Sequence, residues 1–252
     1  MFTSTNLIHV DTEAIYNMIY PLMAFENCKL SFEEFKRVIQ GEDIEECKEE
    51  DLLLARNLQT ACIYMFDTLN DQVNVEFAYQ INEILTRGRI TGEQKRDFEI
   101  GVEDLEYIQI LRDCNYDLSN YDLTKVVPPI PSDSYLDGFM NVSKETYQSV
   151  ISNLIWNQQE GFAYRCFMPM IRSQYFKKSN MITGALIVCK IVLRAKYHLM
   201  FIESKNRLDL AVALLDCIYS NSDLPFHKFV DIMVDHRVEM SAQNSVKVMI
   251  HY

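Results

Sequence analysis

The sequence predicts a predominantly α-helical fold, and three observations carry that expectation. Glycine is scarce: the chain of 252 residues holds 7 glycines, where ordinary usage of about 7% would give about eighteen, and sheets need many turns. Apolar residues recur at three- and four-residue spacing over most of the chain, the period of a helix with one buried face. A helix-start signature is also present, Ser31-Phe32-Glu33-Glu34, in which hydroxyl and carboxylate serve free backbone N–H groups reciprocally.

Taken in order, Glu13 to Met23 reads as a helix ending near Pro21. The Ser31 box opens a second helix to Gln40, with Gly41 as its stop. From Glu49 the spacing of Leu53, Asn57, Thr60, Tyr64 and Leu69 describes one long buried helix, and Val75 to Arg87 another after Asn70-Asp71. Between Gly88 and Ser143 the pattern changes to a loop-rich segment. Phe98, Ile100 and Val102 alternate there as in a short hairpin, and Val126-Val127-Pro128-Pro129-Ile130-Pro131 is an extended connector or domain linker, because proline excludes helix. Helical spacing resumes from Lys144 through Tyr147, Val150, Leu154 and Trp156. It continues over Phe162 to Phe176, Asn180 to Tyr197, Arg207 to Tyr219 and Pro225 to Val238. No internal repeat is visible.

Twenty-four Lys and Arg against thirty-six Asp and Glu leave a net charge of −12, in a chain that is 48% hydrophobic. A chain of this size buries about 70–75% of its unfolded surface without staples. The acidity argues against a general nucleic-acid binder, because phosphate neutralisation needs a basic face, so any anion site must be local. Seven cysteines without C-x-x-C spacing fit neither a disulfide framework nor zinc and are expected reduced and mostly buried. Met1 to Asn6 has no basic leader character, and the most apolar stretch, Gly184 to Ile202, is interrupted by Lys190, Arg194 and Lys196. No membrane span and a cytoplasmic location are expected.

The segment of greatest chemical interest is Arg172-Ser173-Gln174-Tyr175-Phe176-Lys177-Lys178-Ser179-Asn180-Met181-Ile182-Thr183, which joins two apolar helices. Ser179 or Asn180 is suited to cap the second helix, whose positive dipole end would then face Lys177 and Lys178. Such a place attracts phosphate. Local spacing allows the plainer reading too, an exposed turn decorated by two lysines.

This order of elements resembles the Fic (Fido) family, whose members move a nucleotide or related phosphorylated group onto a protein hydroxyl, as in AMPylation. The family signature H-P-F-x-[DE]-G-N-x-R, laid on this chain, spans Gln174 to Ile182, with Phe176 on its core-anchoring Phe, Asn180 on its Asn, and Thr183 in the usual continuation. Upstream, Glu26 to Glu34, Arg56 to Ala61 and Val75 to Gly88 look like successive family helices. The loop-rich segment looks like the β-hairpin flap and its proline connector, and Pro225 to Phe229 like the final helix. The resemblance covers roughly residues 20 to 235 and implies an all-α Fic-like helical bundle with a short β-hairpin flap. Residues 1–70 would be an N-terminal helical extension, 71–238 the core and 239–252 a tail, together one compact unit.

The departures bear on mechanism. Gln174 takes the place of the family's general base, and a carboxamide has no proton-accepting equilibrium near neutral pH; losing a base commonly costs about 10²–10⁴ in rate. Lys178 stands where a carboxylate would hold Mg²⁺, so the metal is not expected. Ser179 replaces a glycine, Ile182 the phosphate-binding Arg, and Ala185 a second Arg one turn on. In the family that second Arg pairs with an inhibitory Glu. Glu26-Asn27 keeps the last two letters of the inhibitory pattern, though Leu22 replaces its Ser or Thr, and an ordinary helix-ending turn explains the pair as well.

The five histidines, His9, His198, His227, His236 and His251, show no metal-ligand spacing; His227 would be a base only if folding brought it to the loop. No phosphate-loop, dinucleotide or hydrolase motif occurs. The acidic run Glu42 to Asp51 reads as a solvated connector plus the acidic first turn of a helix. The sequence therefore leads to a Fic-like pseudoenzyme with no assignable catalytic residue. It would act by binding a protein partner, or a phosphorylated ligand such as ATP or another nucleotide through Lys177, Lys178, Ser179 and Asn180. An active protein adenylyltransferase and an unrelated helical interaction protein are the alternatives. Lys178→Glu is expected to weaken anion binding, and Lys48→Glu to leave it unchanged.

Overall fold

Backbone chemistry sets the helix boundaries close to where the sequence puts them. The computed structural model describes residues 12–132, 134–135, 137–138, 140–141, 145, 167–194 and 206–230. α1 is Thr12–Met23, followed by a 3₁₀ turn Ala24–Glu26; α2 is Phe32–Ile39, α3 Glu49–Asp67 and α4 Val75–Thr86. At α2 the capping box closes as expected, Glu34 N–H donating to Ser31 Oγ at 3.3 Å and Ser31 N–H to Glu34 Oε2 at 2.7 Å. Asn74 caps α4 by accepting from Phe77 N–H at 2.9 Å. Gly41 and Gly88 end their helices at φ 94° and 75°, where a Cβ would be strained. Pro21 lies inside α1 rather than at its end; so near the terminus it removes one intrahelical bond without breaking the helix.

The loop-rich segment departs most from expectation. No hairpin forms: among the described residues the β pairing is a single antiparallel bridge between Lys95 and Phe176. Arg96 N–H donates to the Tyr175 carbonyl at 2.9 Å and Lys177 N–H to the Gln94 carbonyl at 2.8 Å, so the segment pairs with the motif loop instead of with itself. The segment also contains a helix that its composition conceals, α5 (Glu106–Asp113), which buries Tyr107, Ile108, Ile110 and Leu111. Pro128 and Pro129 lie in irregular backbone, as expected of the connector.

After it come α6 (Phe167–Ser173), α7 (Asn180–Arg194) and α8 (Arg207–Tyr219), and residues 224–230 are again helical. Of the helix expected from Lys144 to Trp156 only Glu145 is described, and it is helical; the start of the one expected from Phe162 and the distal parts of those toward Tyr197 and Val238 lie outside the described residues, as do His9, His198, His236 and His251, while α6 stops at Ser173, short of the expected Phe176. α7 is the most enclosed helix, with Met181, Ile182, Leu186, Ile187, Val188, Ile191 and Val192 all buried. Its β-branched residues cost up to about 0.7 kcal/mol each in propensity. Burying each contributes about 1.5–3 kcal/mol, so packing decides the conformation. α7 rests on α6, α4, α3 and α1, while α5 packs on α8. At Gly184 an added Cβ would stand 3.0 Å from the Phe167 ring, and the missing side chain lets α6 approach α7.

Of the cysteines, Cys62 and Cys217 are buried and Cys28, Cys47, Cys114 and Cys189 half-buried, all six free, so burial is less complete than expected; Cys166 lies outside the described residues. No helix of the described residues is long and apolar enough to cross a membrane.

Candidate functional site

The loop from Gln174 to Ser179 is built from backbone strain held in place by buried hydrogen bonds. Gln174 and Ser179, at its two ends, both adopt left-handed backbone, φ 44° and 64°. Ser179 thus holds the conformation that a glycine in its place would adopt without cost. Asn180 locks the loop: its Oδ1 accepts from Phe176 N–H at 2.8 Å and its Nδ2 donates to the Phe176 carbonyl at 2.9 Å. Phe176 is buried against Tyr79, and Tyr79 shares a hydroxyl hydrogen bond of 2.9 Å with Tyr175. Asn82 donates to the Lys178 carbonyl at 2.9 Å and to Thr183 Oγ1 at 3.1 Å, tying the loop to α4.

Arg96 completes the support. Almost fully buried, it donates to the carbonyls of Gln174, Ser173, Phe98, Pro128 and Pro129, so one guanidinium gathers the motif loop, the preceding segment and the proline connector. Burial lowers its pKa from the ordinary value. Gln174 is equally committed: its Nε2 donates to the Ile171 carbonyl at 3.1 Å and its Oε1 accepts from Asn180 Nδ2 at 3.3 Å.

Beside this loop lies a cavity of about 450 Å³, lined among others by Glu26, Asn27, Glu50, Arg89, Glu106, Lys177, Lys178, Ser179 and Asn180. Five carboxylates and five cationic side chains line it, a balance unlike the acidic whole. At its centre Arg89 pairs with Glu26, both side chains nearly buried, and donates to Ser179 Oγ at 3.2 Å; Glu50 lies 3.6 Å from the same guanidinium. Burial disfavours the charge on Arg89, but Glu26 and Glu50 more than offset it and raise its pKa. Glu26 Oε1 and Arg89 Nε are buried with no partner. Lys178 pairs with Glu50, whose carboxyl is held below the usual range by that hydrogen bond. Lys177 pairs with Asp97 at 3.2 Å and lowers it likewise.

The start of α7 is occupied from within. Glu106, first residue of α5, accepts from Asn180 N–H at 3.0 Å and Met181 N–H at 2.8 Å. Burial and the nearby Glu26 carboxylate push its pKa up to about 8 against the pull of these bonds. Contrary to the expectation that Ser179 or Asn180 caps α7, neither does so with its side chain. The Ser179 hydroxyl serves Arg89 and the Asn180 amide serves Phe176, leaving the cap to Glu106.

The structure therefore gathers Gln174, Phe176, Lys177, Lys178, Ser179, Asn180, Glu26 and Asn27 at one cavity. Thr183 stands behind it as the Asn82 partner. Glu26 does end a helix, with Asn27 left-handed at φ 56°, yet its carboxylate is a cavity group, paired with Arg89 instead of a residue following the motif. Ile182 is fully buried and His227 does not line the cavity. Glu50 and Asp51, read as part of a solvated run, line it, and so does Lys48, which is therefore no neutral control. Sequence reasoning missed Arg89, Arg96 and Glu106. None has a local signature, although Tyr107, Ile108 and Leu111 at helical spacing could have revealed α5 and put Glu106 at a helix start. Mg²⁺ does not fit the position where the resemblance puts its carboxylate, since that place holds the Lys178 ammonium. Among the described residues no group of three or more His, Cys, Asp and Glu is placed to hold a metal.

A strained loop between two core helices, beside a polar cavity at a helix start, marks a predominantly helical fold. Comparison of structures specifies it further: the chain has the Fic fold. It is similar to Fic-1 of C. elegans, with a TM-score of 0.70 at 12% identity over 97% of this chain and 68% of that one. It is also similar to a Fic domain containing signaling protein from Bacteroides thetaiotaomicron, with a TM-score of 0.68 at 13% identity over 97% of this chain and 95% of that one. A Fic family protein from Desulfovibrio desulfuricans gives a TM-score of 0.64 at 17% identity over 92% and 66%. No family profile and no curated protein matches the chain in sequence.

Proposed function

We propose that this chain is a Fic-fold protein impaired in group transfer, which binds a phosphorylated ligand in the cavity beside the α7 start. The observation that carries the reading is the convergence of Arg89, Lys177, Lys178 and Asn180, at the α7 start, on one cavity, a set of residues suited to phosphate oxygens. Transfer chemistry lacks support because the Gln174 carboxamide spends both its polar atoms inside the loop and has no basic lone pair to offer a hydroxyl. Fold alone does not confer activity.

Calorimetric titration with ATP, with and without Mg²⁺, tests the binding half. Metal-independent binding that weakens in Lys178→Glu, and not in Lys125→Glu outside the cavity, is the expected result; equal effects of both variants would remove the local site. Incubation with labelled ATP and candidate proteins tests the other half, with no label transfer expected. A second reading, a protein-binding scaffold, is favoured by Phe98, which lines the cavity yet is 46% exposed. Absence of ATP binding under both conditions would favour it.

A further inference from the structure

The two N–H groups that a phosphate would use at the start of α7 are already bonded, one to each oxygen of the Glu106 carboxylate, at 3.0 and 2.8 Å. Glu106 is 8% exposed and arrives from α5, a different part of the chain. Beside it, Glu26 Oε1 and Arg89 Nε are buried and unpartnered in residues that line the same cavity, their side chains 7% and 3% exposed. The guanidinium thus retains an unused donor at a place where an incoming anion would gain from it.

We propose that the Glu106 carboxyl group holds the phosphate position of this cavity, so that a phosphorylated ligand enters only by displacing it from the Asn180 and Met181 N–H groups. The proposal rests on the reading of the cavity as a phosphate site. Its logic is competition. A tethered carboxylate acts at an effective concentration on the order of millimolar, which a free ligand must overcome. It also cannot share the site. A phosphate bound with Glu106 in place would find both N–H groups taken and would add negative charge next to Glu26, which already disfavours ionisation of Glu106. Glu26 plays no equivalent part, for it pairs with Arg89, and the α7 start is bonded by Glu106.

Calorimetric titration with inorganic pyrophosphate distinguishes this from a merely structural helix cap. The proteins compared are the unaltered chain, Glu106→Ala, Glu106→Gln and Glu106→Ala with Lys178→Glu, each checked for folding by thermal melting. Both Glu106 variants are expected to bind at least about tenfold more tightly than the unaltered chain, and Lys178→Glu to reverse the gain. The Asn180 and Met181 amide resonances should shift on titration in the variants. A structural cap would lower the melting temperature and leave affinity unchanged. Affinity equal in all Glu106 forms, yet reduced by Lys178→Glu, overturns the proposal while the phosphate reading stands. No pyrophosphate binding by any form overturns both. Should Glu106→Ala fail to fold, Glu106→Gln, which keeps the shape and one acceptor, decides by the same criterion.

Discussion

Replacing Arg89 by methionine should be among the most damaging single changes at this site. The substitution keeps length and removes charge, leaving Glu26, 7% exposed, without its cation and facing Glu106 across the cavity. At an effective dielectric constant of about 20, a pair separated by about 4 Å attracts by about 4 kcal/mol. Stranding one partner of a buried pair typically costs about 3–5 kcal/mol. The Ser179 hydroxyl and Leu85 carbonyl also lose a donor. Arg89→Met is therefore expected to lose about 4 kcal/mol in urea denaturation, a large part of a domain stability of about 5–15 kcal/mol. Glu26→Gln alone should cost less, because Arg89 still has Glu50 at 3.6 Å. The double variant should recover about 2 kcal/mol relative to additivity. A loss in Arg89→Met below about 1 kcal/mol, or strict additivity of the two changes, would refute the buried pair as the organising contact.

Lys190 offers a pH test, since burial against α3 and α4, with its ammonium 3.8 Å from the Phe77 ring centroid, lowers its pKa from 10.5 to about 8. Because the folded pKa is depressed, the associated stability is present above pH 10.5 and lost as pH falls through about 8. Lys190→Met should therefore gain stability at pH 7, less what the cation–π contact and the 3.3 Å hydrogen bond to Thr68 Oγ1 contribute, and flatten the stability profile between those limits, read from urea midpoints across pH. Ser179→Gly should release left-handed strain of about 1 kcal/mol, partly offset by the lost Arg89 bond, so its melting temperature should stay within a few degrees of the parent. Arg96→Met removes the donor to five carbonyls. It should cost at least about 3 kcal/mol and speed amide exchange from Gln174 to Ser179.

How far the sequence speaks depends on the range over which each cause acts. The Ser31–Glu34 box and the Gly41 stop are interactions within a few residues, and each appears where its letters stand; the Asn74 cap and the Gly88 stop are equally local but were not singled out from the sequence. The motif loop was legible in part for a related reason, since Phe176 and Asn180 bond to each other four residues apart. α5 was hidden because eight helical residues lie among glycines and polar runs that read as loop. The alternation at Phe98, Ile100 and Val102 imitated a hairpin, while the backbone partner of that segment lay about 80 residues away, at Tyr175 and Phe176.

What the sequence determined by itself is the largely helical architecture, the Ser31 capping box, the Gly41 stop and the carboxamide chemistry of Gln174, because these follow from composition, short-range hydrogen bonding and side-chain chemistry. Only the tertiary structure decided the electrostatics of the cavity. Arg89 meets Glu26 across 63 positions, Lys178 meets Glu50 across 128, and Glu106 meets the α7 start across 74 and 75. Charge and hydrogen bonding act through space, and no local pattern in the chain records which carboxylate folding will bring to which donor.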